Sequence, residues 1–125
     1  MDWNELTINQ FQDALSSKNP TPGGGTASAV ALGHSASLVA MVANLTIGNE
    51  NWSEGWGISD EALKLANKVK KESARLAKED SDSFDNVMAA FKLPKKTEDE
   101  KVIRRETIRN HTLIAAKIPL SLIHI

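Results

Sequence analysis

The sequence has no cysteine and no tyrosine, and its aromatic residues are three tryptophans and three phenylalanines. Without thiols there is no disulfide framework, no thiolate metal site and no cysteine nucleophile. An excess charge of one sign is also missing. Fifteen Lys and Arg oppose 16 Asp and Glu for a net charge of −1, so no basic field gathers nucleic acid or an anionic membrane, and neither partner is implied. The opening Met1-Asp2-Trp3-Asn4-Glu5 lacks the basic and apolar regions of a secretory signal, which makes the cytoplasm the expected location. Alternating apolar and polar runs, hairpin turns and internal repeats are all absent, so the fold class expected is all-α.

One stretch, Gly25 to Gly48, contains no Asp, Glu, Lys or Arg. It holds Thr26, Ser28, His34, Ser35, Ser37, Asn44 and Thr46 and is rich in Ala rather than Leu, which is weak composition for a membrane span. A buried core helix over Thr26 to Ile47 is the expectation. Its small residues Ala27, Ala29, Ala31, Gly33, Ala36, Ser37, Ala40 and Ala43 permit close helix approach at the centre of a bundle or across a dimer.

Three other helices are legible. Thr7-Ile8-Asn9-Gln10 has capping-box form, with Ile8, Phe11 and Leu15 on one face, and predicts a helix ending near Lys18. Asn19-Pro20-Thr21-Pro22-Gly23-Gly24-Gly25 predicts a loop. After a polar stretch containing Trp52 and Trp56, Ser59 or Asp60 is placed to cap a long helix that Pro94 stops. Thr97-Glu98-Asp99-Glu100 is a second capping box, opening a helix expected to end before Pro119. Residues 1–119 thus read as one helical domain, and residues 120–125 are expected to be a non-native tail.

At about 100° per residue the long helix can be plotted directly. One stripe holds Ala62, Leu65, Ala66, Val69, Ser73, Leu76, Ala77, Asp80, Ser83, Phe84, Val87 and Phe91, and Asp80 is its one ionisable member. A carboxylate on a buried stripe has two readings. Either it fixes helix register through a Ser, an Asn or a cation, or it moves protons. The Gly23-Gly24-Gly25 turn likewise reads as a tight packing turn or as a helix start whose backbone N–H groups face an anion; no P-loop lysine follows it. His34 has no second ligand at helical spacing and is expected to be a core histidine. Asn44 suits either a polar heterocycle or a neighbouring helix. Trp52 and Trp56 suit packing or a stacked ligand, and Lys92 suits the end of a helix dipole.

The strings Pro20-Thr21-Pro22-Gly23-Gly24-Gly25-Thr26-Ala27-Ser28 and Met41-Val42-Ala43-Asn44-Leu45-Thr46-Ile47-Gly48 resemble the opening of the formiminotransferase-cyclodeaminase C-terminal domain family, which includes stand-alone methenyltetrahydrofolate cyclohydrolases. Asp80-Ser81-Asp82-Ser83-Phe84-Asp85, Lys92-Leu93-Pro94, Thr97-Glu98-Asp99-Glu100-Lys101 and Ile118-Pro119-Leu120 continue it in order. The resemblance implies an all-α bundle truncated at its C-terminus, a homodimer, and a tetrahydrofolate derivative as substrate with no metal or other cofactor. Its Asp-x-x-x-Phe register places the acid/base residue on Asp80. By motif position it places Pro22, Gly23, Gly24, Gly25, Asn44 and Lys92 among the substrate contacts. The competing expectation is a non-catalytic dimerising helical module or an inactive fragment.

Overall fold

The structure, a computed structural model, describes residues 1–125 and contains no strand. Four helices carry the fold: α1 (Ile8–Leu15), α2 (Gly24–Thr46), α3 (Trp56–Phe91) and α4 (Glu98–Ile123). Single 3-10 helices at Trp3–Glu5 and Glu50–Gly55 precede α1 and α3. Both capping boxes form. Thr7 Oγ1 accepts from the Gln10 N–H at 3.1 Å while the Gln10 side chain accepts from the Thr7 N–H at 2.9 Å, and Thr97 and Glu100 exchange the same pair of bonds.

α2 and α4 both pack against α3, and Ile118 and Leu122 of α4 lie on the cluster of Ala29, Leu76 and Ala77. The core is built from small residues: Ala29, Ala36, Ala40, Ala43, Ala66, Ala77 and Ala90, with Leu76 and Val87 as its larger members. Such side chains bring helix backbones close. A Cβ on Gly33 of α2 would lie 2.8 Å from Ser73 Oγ of α3, so glycine is what lets the two helices cross there. The α3 stripe faces inward as plotted at Ala66, Ser73, Leu76, Ala77, Ser83 and Val87. Leu65, Phe84 and Phe91 on the same stripe stay exposed, while Ser81 and Ala90 outside it are buried. One helical plot assumes one partner, whereas α3 has two.

Several expectations change. α1 stops at Leu15, because Ser16 hydroxyl donates to the Asp13 carbonyl and Ser17 hydroxyl accepts the Asn19 N–H, drawing the backbone out of the helix. α2 begins at Gly24, two residues early. α3 begins at Trp56 rather than at a Ser59 or Asp60 cap, since the 3-10 helix feeds it directly through the Trp56 N–H bond to the Ser53 carbonyl. Pro119 does not end a helix, for α4 runs through it to Ile123. The ring removes one donor, and Ala115, the residue whose carbonyl loses it, borders an open cleft together with Pro119.

α2 is also less buried than a core helix. Thr26, Ala29, Ala36, Ala40 and Ala43 are enclosed, but Leu38, Val39, Met41, Val42 and Leu45 are exposed, and by length and composition the helix is apolar enough to cross a membrane. His34 lies on this outer side, exposed, beside a groove formed with α1, because its helical position turns it away from α3.

Candidate active site

The loop before α2 folds back across α3. Its path includes a cis Thr21–Pro22 peptide, and Pro22 is buried beneath it. Thr21 donates its hydroxyl to Asp85 Oδ1 at 2.8 Å, which ties the loop to α3 one turn beyond Asp80. From this anchor the chain enters α2 at Gly24 with Gly23 as N-cap, which has no side chain to satisfy the first amides. The first backbone bond that closes the helix runs from the Ala27 N–H to the Gly23 carbonyl at 3.0 Å. The amides of Gly24, Gly25 and Thr26 therefore have no acceptor within the helix.

Asp80 meets this helix start from α3. Its Oδ2 accepts the Thr26 hydroxyl at 3.1 Å, and that hydroxyl lies 3.3 Å from the Ala77 carbonyl. Thr26 is fully buried, whereas Asp80 is only half-buried and opens on one side. Contact with Gly25 is so tight that a Cβ there would lie 2.6 Å from Asp80 Cγ and closer still to both carboxylate oxygens. A glycine at 25 is thus a steric condition for the aspartate's position. The Ser83 hydroxyl donates to the Asp80 carbonyl at 2.9 Å and steadies the turn that carries it.

The open side of Asp80 is a cleft of about 390 Å³, lined by Pro20, Thr21, Gly23, Gly24 and Gly25 of the loop, Asp80 and Phe84 of α3, and Ala115 and Pro119 of α4. Asp80 is its one titratable lining group. The cleft therefore combines a carboxylate, the Gly24 and Gly25 amides at the helix start and an aromatic wall. That set can exchange a proton with a bound molecule and bind its polar atoms. No group of three or more His, Cys, Asp or Glu side chains converges anywhere in the chain.

Of the residues singled out from the sequence, Gly23, Gly24, Gly25 and Asp80 come together here, with Pro22 packed beneath. Asn44 is exposed near the other end of α2, 19 positions and about 28 Å along the helix from Gly25. Lys92, also exposed, caps the C-terminal end of α3, about 18 Å of helix from Asp80. Neither lines the cleft. Trp56 donates its indole N–H to the Asn49 carbonyl at 3.1 Å and so pins the linker, while Trp52 stays exposed. Sequence reasoning missed three contributors: Thr21 with Asp85, Thr26, and the Ala115–Pro119 wall. The first was hidden because its partners are 64 positions apart, and the last because proline was read as a stop.

Likeness to known proteins fits this geometry. The chain is 37% identical over 115 residues to a methenyltetrahydrofolate cyclohydrolase of Methylorubrum extorquens, covering 92% of this chain and 55% of that protein. It is 26% identical, over the same share of the chain but 21% of the relative, to a formimidoyltransferase-cyclodeaminase of Gallus gallus. The crystal structure of a formiminotetrahydrofolate cyclodeaminase from Thermotoga maritima superposes with a TM-score of 0.79 at 26% identity, covering 97% of this chain and 56% of that one. The chain thus spans about half the length, or less, of the relatives it matches. A sequence profile described as formiminotransferase-cyclodeaminase matches residues 7–125, nearly the whole chain, and the protein belongs to that family.

Proposed function

We propose that this chain forms the catalytic part of a folate one-carbon enzyme, acting as a methenyltetrahydrofolate cyclohydrolase with Asp80 as its general acid/base. The observation that carries the reading is Asp80 standing alone among titratable groups in a cleft roofed by the α2 start. The cyclohydrolase reading is preferred because the 37% identity is to a protein of that name. In this reaction water adds to the methenyl carbon, Asp80 takes the proton that the water loses as the C–O bond forms, and the proton is returned to the ring nitrogen as its bond to that carbon breaks and leaves a formyl group. The amides of Gly24 and Gly25 bind the polar atoms of the folate, and Phe84 lies against its ring. These steps need no metal or redox cofactor.

A second reading, formiminotetrahydrofolate cyclodeaminase, is favoured by the Thermotoga maritima structure. There N10 attacks the formimino carbon, ammonia leaves, and the same carboxyl passes a proton from the attacking amine to the leaving nitrogen. Both reactions meet at the methenyl product or substrate, so its chromophore reports on either. In the full-length protein, Asp80→Asn is expected to lower kcat by about 100-fold or more. Equal activity of wild type and Asp80→Asn overturns the acid/base role, and conversion of neither folate by wild type overturns the function.

The exposed apolar side of α2 is proposed to be covered by a second copy of the protein. Support comes from Leu38, Val42 and Leu45, each about 60% exposed, and from apolar grooves on the α2–α3 surface lined by Val39, Ala62, Leu65 and Val69. A cytoplasmic location is proposed from the folate chemistry.

A further inference from the structure

The carboxylate of Asp80 is held from one side only. Thr26, with no exposed surface, donates its hydroxyl to Oδ2 at 3.1 Å, and the Gly25 backbone closes against the same carboxylate. Oδ1 accepts no hydrogen bond from the chain. Oδ2 is fastened to α2 at the edge of the cleft.

We propose that Thr26 is the positioning residue of this site: by fastening Oδ2 it fixes the Asp80 carboxylate in the orientation from which it takes and returns the proton. This rests on the folate reading of the cleft. The Thr26 hydroxyl proton itself never leaves; its donation holds the carboxylate and removes the rotation that would turn it away from substrate. A second acceptor, the Ala77 carbonyl 3.3 Å away, holds the hydroxyl in place when Asp80 is protonated and accepts less strongly.

The groups facing Asp80 from the packed elements are uncharged: Pro20, Thr21, Gly23, Gly24 and Gly25 from the loop and α2, Phe84 on α3, and Ala115 and Pro119 on α4. Asp85, bonded to Thr21, is the carboxylate that meets the same loop. A change at Thr26 is thus read by Asp80 without a competing cation in the cleft.

Two pairs of variants in the full-length protein isolate the hydroxyl. Thr26 and Thr26→Val share a shape, as do Thr26→Ser and Thr26→Ala, and in each pair one member alone can donate. The expected result is a kcat about 10- to 100-fold lower in the variant without a hydroxyl, with KM within about twofold. Circular dichroism confirms folding, and the Ser/Ala pair decides if Val fails to fold. Should wild type convert methenyl- or formiminotetrahydrofolate while the paired variants differ by less than about twofold in kcat, the proposal is overturned and the folate reading stands. If wild type converts neither, the folate reading is overturned and the proposal goes with it.

Discussion

The two ends of α2 are made of similar residues and have opposite fates. At the N-terminal end, Thr26 and Ala29 are completely enclosed, and the first turn bears on Asp80 from α3 beneath a wall from α4. Toward the C-terminal end, Leu38, Val42 and Leu45 stand in solvent although they are larger and more apolar. Hydrophobicity alone predicts the reverse. What differs is the supply of partners within the chain: the loop, α3 and α4 converge at the glycine-rich start, while the far end meets α3 on one side and the Glu50–Gly55 turn on another. A helix that is apolar on every side needs cover on every side. The enclosed end shapes the cleft around Asp80, and the open end is the surface proposed to meet a second copy.

Gly25→Ala tests the enclosed end with the largest effect after loss of Asp80 itself. The new Cβ collides with the end of an aspartate side chain rather than with backbone, so the carboxylate moves and the fold persists. Activity in the full-length protein is expected to fall by about 100-fold, as for a misplaced catalytic group, with a melting temperature close to that of wild type. An active Gly25→Ala variant means that the close approach has no part in catalysis.

The open end gives a smaller effect. Val42→Ser together with Leu45→Ser is expected to weaken self-association by about 10-fold or more, measured by sedimentation, because each side chain withdraws an apolar contact worth about 1–2 kcal/mol when buried. Unchanged association places the interface elsewhere and erases the proposed contrast between the two ends.

Least is expected on the outward side of α3, where Arg75 pairs with Glu72 and Glu79. The hydrogen bond from Arg75 holds the Glu72 carboxyl below its ordinary value of 4.5. A depressed carboxyl contributes stability above its unfolded value and loses it as pH falls through the folded one. Wild type should therefore lose a small margin over Arg75→Gln below that ordinary value, seen in thermal melts and reduced by salt. A margin that persists at acid pH shows that the pairing has no such linkage.

Helix number and type were readable because local rules were followed. Thr7 with Gln10 and Thr97 with Glu100 each close a box whose members are three residues apart, and the α3 stripe follows a period set by backbone geometry. Asp80 was visible as the ionisable member of that stripe for the same reason. Pro119 misled because its cost depends on where the ring sits, and beside an open cleft α4 accommodates it. Asn44 and Lys92 belonged to recognisable strings, but their places along α2 and α3 keep them out of this cleft.

The amino-acid sequence by itself determined the helices, the glycine turn and the candidacy of Asp80, since these depend on neighbours within a few residues along the chain. The crossing of α2 over α3 decided the rest. It set Thr26 beside a carboxylate 54 positions away, made Gly25 a steric requirement, and left Asp80 half-open rather than enclosed. Such relations depend on how closely two backbones approach, and that distance is fixed by the alanines and glycines packed between them.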